Sequence, residues 1–338
     1  MNAPHFPSRP FWAATFLLGA TLLAAPAPVQ DSTTRTSLTL EEARGFIEKK
    51  PTTVSQFDGA FLSFDALATL PPEVAEVLLG IEGALSFNAL TELSPETAAA
   101  LAKHTPSKSF GFADLRLNGL KSISTAAAEA LAAHQGKVLL HSLERLDSVP
   151  LAQKLARQWG ELRLGLKELS PEIAAGLAKH RGTEEDKSRP GVVFRRIDGA
   201  ASVLRLDALE SLSTETAEAL AAHEGVLVLN GLASLDPTVA ASLAKRTGNS
   251  KTKRDGTLVL NGLASLSTES AAALAAFPGE LVLKAITELP RDTAAALAKH
   301  RGRLHLTGLT KLSPETYAAL KVHSNLLLPR PLPLTAGN

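Results

Sequence analysis

Between Phe61 and His323 the apolar positions follow a compound rhythm that neither a lone helix nor a lone strand explains. Two leucines one residue apart are followed by a third and a fourth at three-residue steps, and then by alanines and leucines at helical spacing. The clearest copies run from Leu227 to Gly248, Leu258 to Gly279, Leu281 to Gly302 and Leu304 to His323, and read L-x-L-x-x-L-x-x-L-S-x-E-x-A-x-x-L-A-x-H-x-G with small departures. The L-x-L core is too short for a helix and predicts a short strand with one buried face. Ala98, Leu101 and Ala102 stand at i, i+3 and i+4 and predict a helix of about ten residues with one apolar stripe.

The first strand leucine, or its equivalent, marks the register. The marks are Leu62, Leu85, Leu115, Val138, Leu162, Leu204, Leu227, Leu258, Leu281 and Leu304, which gives ten repeats of about 23 residues. Leu326-x-Leu328 reads as a closing strand. Three steps are longer, and they predict insertions at Thr105 to Asp114, Thr183 to Val203 and Asn249 to Gly256, all on one rim. Val192-Val193-Phe194 in the second suggests an extra strand or a cover over the core.

Helix starts are written plainly. Ser94-Pro95-Glu96, Ser170-Pro171-Glu172 and Ser313-Pro314-Glu315 each offer a capping oxygen, a proline where no N–H is needed, and a carboxylate near the positive helix end. Asp236-Pro237 does the same with Asp. Gly136, Gly182, Gly225 and Gly302 read as helix stops.

One block cannot fold alone. Its leucine-class side chains contribute roughly 1.5–3 kcal/mol each when buried, and ordering the backbone costs roughly 1–2 kcal/mol per residue. Stacking on neighbours reverses that balance, so the pattern predicts a solenoid. Thr39 to Lys50 reads as a helix with a Thr39…Glu42 capping box that covers the first repeat. The segment Pro329-Arg330-Pro331-Leu332-Pro333 is expected to end the stack and trail off.

The blocks resemble leucine-rich repeats, in a short variant of secreted bacterial proteins. Leu258-x-Leu260 and Leu281-x-Leu283 match that family's strand core, and the resemblance covers roughly Phe61 to Leu328. It implies an α/β solenoid with short parallel strands on the concave side, helices on the convex side, and a binding or scaffolding role. The family places Asn three residues after the second strand leucine. Here Leu263, Ile286 and Leu309 stand there, so an apolar residue fills the turn and the usual Asn ladder is not expected.

Charge changes the picture little. Lys+Arg number 35 against Asp+Glu 34, which gives no general pull toward nucleic acid or anionic membrane. The N-terminus matters more. Arg9, the apolar run Phe11 to Ala25 and Ala25-Pro26-Ala27 have the form of an export signal over 1–27, with an uncleaved N-terminal anchor as the alternative. Residues 28–60 are then linker and capping helix, 61–323 the solenoid, and 324–338 the terminal strand and proline-rich tail. The 338 residues contain no Cys, so no disulfide or lipid attachment at cysteine supports the fold.

The residue between the two strand leucines should point out from the sheet. Arg116, Arg163 and Arg205 occupy this row in the first half, where they could grip anions. Val228, Val259 and Val282 occupy it in the second, where they could form an apolar patch or merely follow strand propensity. Asn118, Asn230 and Asn261 lie beside that row as further candidate ligand-binding groups. Six of nine His share one repeat position: His104, His134, His180, His223, His300 and His323. Their place at the helix C-terminus favours capping over a metal column. No nucleophile elbow, HExxH, phosphate loop or Cys nucleophile occurs. A non-catalytic, exported protein-interaction module with no cofactor is expected, with a protein partner bound on the concave face or the insertion rim. A self-associating envelope component and a carbohydrate- or anion-binding protein are the alternatives.

Overall fold

The computed structural model describes residues 35–48, 54–55, 59–81, 83–105, 114–158, 160–181, 202–246 and 256–334. The signal-like segment, most of each insertion and Val192-Val193-Phe194 lie outside them. Short strands alternate with short helices in an α/β, solenoid-like repeat fold.

Among the described residues a helix comes first. α1 (Leu40–Glu48) is closed by the predicted capping box, with the Thr39 N–H donating to Glu42 Oε2 at 2.8 Å and the Glu42 N–H to Thr39 Oγ1 at 3.3 Å. It covers the first repeat: the Phe46 ring meets Phe64 edge-on at 5.5 Å, and Phe64 stacks on Phe87 at 5.5 Å. A strand unforeseen in the pattern, β1 (Val54–Ser55), pairs antiparallel with β2 (Gly59–Ser63).

The repeats then keep the expected register. β2, β3 (Ala84–Ser86), β4 (Leu115–Arg116) and β5 (Val138–Leu139) pair in parallel, with Leu62, Leu85, Leu115 and Val138 in line. A second sheet holds β6 (Glu161–Arg163), β7 (Val203–Arg205), β8 (Val226–Val228), β9 (Thr257–Val259), β10 (Glu280–Val282), β11 (Leu304–His305) and β12 (Leu326–Leu327). Its marks Leu162, Leu204, Leu227, Leu258, Leu281 and Leu304 are also in line. Val203 and Gly256, assigned to insertions from the sequence, belong to the repeats.

The sheet is not continuous. Among the described residues no strand pairing joins β5 to β6, although the sequence spacing there is ordinary. Elsewhere the N–H of the second strand leucine donates to the next repeat, as from Leu117 to Leu139 at 2.9 Å and from Leu164 to Arg205 at 3.1 Å. The turns beyond the strands do stay joined across the seam, with Lys167 N–H donating to Glu144 O at 3.0 Å.

The helices α2 (Pro72–Leu78), α3 (Pro95–Ala102), α4 (Thr125–Ala132), α5 (Val149–Ala156), α6 (Pro171–Leu177), α7 (Thr214–Ala221), α8 (Pro237–Ala244), α9 (Thr268–Leu274), α10 (Arg291–Leu297) and α11 (Pro314–Leu320) each pack on the next. They run seven or eight residues, shorter than expected. Ser94, Ser170, Asp236 and Ser313 cap as predicted, each accepting a backbone N–H of the first turn. Leu263, Ile286 and Leu309, three residues after the second strand leucine, are buried in one core with the strand leucines.

Of the four glycines expected to stop helices, Gly182 lies outside the described residues, and the other three do not adopt the left-handed conformation. Gly225 and Gly302 are not left-handed stops; the helices before them end in right-handed residues such as Ala222 (φ −71°, ψ −8°). Instead glycine carbonyls and α-carbons stack through the repeats. A Cβ on Gly279 would meet Gly256 O at 2.0 Å, and one on Gly302 would meet Gly279 O at 1.8 Å. No side chain fits between these backbones.

The C-terminal tail also departs from expectation. It folds back on the last repeat, where the Leu312 N–H donates to Pro333 O at 3.0 Å and Leu312 bridges Leu334.

Candidate functional site

The sheet face carries the residues singled out from the sequence. Arg163 and Arg205 are register partners on β6 and β7. Arg116 lies in the other sheet beside Leu139, so the three arginines do not form one row. Arg205 is engaged already: its Nε donates to Glu161 and its Nη1 lies 3.4 Å from Asp207 Oδ2. These two carboxylates raise its pKa further, Glu161 contributing most. Arg163 is exposed at the edge of the seam. Burial, then the Arg163 charge, pushes the nearby His141 imidazole down. Lys137 is lowered by burial and by Arg116, against the pull of Asp114. Cations and carboxylates are therefore mixed on this face.

The valine row does not form an open patch. Val228 is 3% exposed and Val282 is 7% exposed, and only Val259 is half-buried. In a row of parallel neighbours each flanking strand covers its share of the side chain, so these valines pack against their own sheet rather than facing solvent.

The asparagines bond the backbone of the next repeat. Asn118 Oδ1 accepts the His141 N–H at 3.2 Å, Asn230 Oδ1 accepts the Asn261 N–H at 3.0 Å, and Asn261 Oδ1 accepts the Lys284 N–H at 3.0 Å. Asp65 and Asn88 begin the same chain, accepting from Asn88 and Asn118 at 2.9 and 3.2 Å. An Asn ladder thus exists, one residue after the second strand leucine rather than three.

A parallel ladder of hydroxyls escaped the sequence reading. Thr97, Thr216, Ser270 and Thr316 each donate from the side chain to the carbonyl of a loop leucine one repeat earlier, from 2.7 Å (Ser270 to Leu235) to 3.2 Å (Thr316 to Leu289). A Ser or Thr three residues after the capping Ser was the available signal.

The histidines form the most ordered polar feature. His104, His134, His180, His223, His300 and His323 are all buried, in a column whose other members are Ile81, Gln158, Arg246 and Phe277. Each His ends its own helix through its backbone N–H, as from His180 to Leu177 O at 3.0 Å. His323 Nδ1 accepts the Asn325 N–H at 3.1 Å, while the other defined ring contacts reach the repeat before. His104 Nε2 lies 3.0 Å from Ile81 O, His180 Nδ1 3.1 Å from Ala156 O and Nε2 2.9 Å from Gly160 O, and His223 Nδ1 3.4 Å from Ala178 O. The capping expected at this position is made across the repeat junction. Among the described residues no group of His, Asp or Glu is arranged to hold a metal.

Arg246 occupies the same column at 1% exposure. Its Nη2 donates to Gly225 O at 2.7 Å and His223 O at 3.2 Å, and its guanidinium lies 5.9 Å from the Phe277 ring centroid. Burial lowers its pKa to about 9. No helix among the described residues is long and apolar enough to cross a membrane. No family model matches the chain, and no curated protein matches it either.

Proposed function

We propose that this chain is an exported, non-catalytic interaction module of leucine-rich-repeat type whose sheet face binds a protein partner. The observation that carries this reading is the division of labour among polar groups. The helix starts are spent on local capping, and the Asn and hydroxyl ladders and the His column on joining repeats. The side chains left to vary lie along the sheet face, among them His141, Arg163, Val259, Lys284 and His305. A regular scaffold with a variable face suits recognition.

The test is capture from envelope extract by protein beginning after Ala27, beside R163E, V259E and a helix-side control, K299E. A partner kept by the parent and by K299E but lost by either sheet-face variant supports the reading. A partner indifferent to all three moves recognition elsewhere.

A second reading, end-to-end self-association as an envelope component, draws on the C-terminal end. Val322, Leu327, Leu332 and Leu334 are exposed there beside the edge strand β12. Sedimentation that shifts with concentration, and is abolished by L327E, would favour it.

A further inference from the structure

The His column is more than a set of caps. It breaks into three stacked pairs. His104 and His134 lie 6.2 Å apart with their planes 3° from parallel, His180 and His223 6.3 Å apart at 8°, and His300 and His323 5.9 Å apart at 12°. Gln158 separates the first pair from the second, and Arg246 with Phe277 separates the second from the third. Every pair spans a repeat junction. Two of the long insertions leave the repeats beside it, after His104 and just after His180.

We propose that these stacked imidazole pairs form an acid-responsive latch, neutral and closed near pH 7.5, whose protonation loosens the repeat junctions they span.

The surroundings of the second and third pairs support this. His180 faces the carbonyls of Ala156 and Gly160 and the charges of Lys137 and Arg181; Arg181 itself pairs with Glu224 at 3.7 Å. His223 faces Arg246, His180 and the carbonyls of Ala178 and Val226. His300 faces His323, the Phe277 ring and the carbonyls of Gly279, Ala275 and Arg303, and His323 faces the carbonyls of His300 and Gly302. The charged neighbours acting on these rings are cations or other imidazoles. A proton added to one ring is therefore buried, and it repels its partner.

Burial is the leading cause that lowers His180, His223, His300 and His323, outweighing the carbonyls that would welcome a second N–H. His223 falls from the ordinary 6.5 to about 3. With the folded values depressed, the stabilisation is complete above about pH 6.5 and is lost as pH falls through the folded values.

The test is hydrogen exchange of the full chain at pH 7.5 and 5.0, corrected for intrinsic rates. The amides of His180 and His223, and those of His300 and His323, are expected to lose about tenfold or more in protection at the lower pH, since the opened imidazoles regain their ordinary pKa of about 6.5 and each pH unit below it favours opening by up to a factor of ten. The Leu229 amide, which donates to Val259 O at 2.9 Å at a junction that no His pair spans, serves as the reference for opening unrelated to the latch. The double variant H180Q/H223Q puts at both positions the residue already present at Gln158. It should lose the response at its own junction and retain it at His300 and His323. Protection independent of pH, or a double variant that responds like the parent, would overturn the proposal. Imidazole titration by NMR in the unmodified chain gives a second measurement that does not rely on the variant folding. Column histidines titrating near 6.5 would also overturn it.

Discussion

The α-carbon of Gly302 faces the carbonyl oxygen of Gly279 so closely that a β-carbon would sit 1.8 Å from it. Backbone meets backbone there, and neither side has a flexible end to move. G302A should cost about 3 kcal/mol by urea denaturation, as forced overpacking does. Gly45, with nothing within 4 Å of its would-be β-carbon and a place inside α1, is the control. G45A should gain about 0.5–1 kcal/mol through helix propensity alone.

Substitutions on the sheet face should divide by burial rather than by row. Val228 is enclosed, so V228D places an unpaired carboxylate against the sheet and should destabilise by about 3 kcal/mol or more. R163E, at an exposed position, should stay within about 0.5 kcal/mol. Chemical denaturation of both separates folding defects from binding defects before any partner experiment.

The Asn ladder predicts an acceptor-specific effect. N261A removes the oxygen that takes the Lys284 N–H and should cost about 1 kcal/mol. N261D keeps an acceptor at that place and should recover most of the loss. Hydrogen exchange at the Lys284 amide reads the same bond directly.

Arg246 and His223 are coupled through their charges. After burial, the guanidinium is the largest influence lowering His223. R246H, which restores the commonest residue of the column, removes a fixed charge. The His223 titration followed by NMR should then move upward from its value in the parent. No movement would mean that burial alone sets it.

Much of this architecture is legible in the sequence because it is periodic. Leu62 through Leu304 fall into register, and Ser94, Ser170, Asp236 and Ser313 are readable as caps since capping is local chemistry. Contacts that depend on the neighbouring repeat are not legible. Val138 and Leu162 stand at an ordinary spacing, yet their strands do not pair. Gly302 resembles a helix stop because the sequence records its place after a helix and not the Gly279 backbone lying against it. Gln158, Arg246 and Phe277 share the His column, but their unlike side chains hide a common position. For Val228 the alternation of the strand gives the direction correctly and the exposure wrongly, because alternation says nothing of flanking strands.

The junction bonds all join a repeat to the next one along, and they do so through the same few atoms. Asn230 serves Asn261 as Asn261 serves Lys284, and the Gly256 carbonyl stands to Gly279 as the Gly279 carbonyl stands to Gly302. The molecule is therefore editable in whole units. Adding or deleting one complete block between Leu258 and Gly302 keeps the glycine stack and the strand register in phase at the new joint. Removing a single residue from a strand or helix shifts all of them out of phase together. Length in such a chain can change by duplication and loss far more readily than by small insertions, except at the few places where the joint has already been left behind.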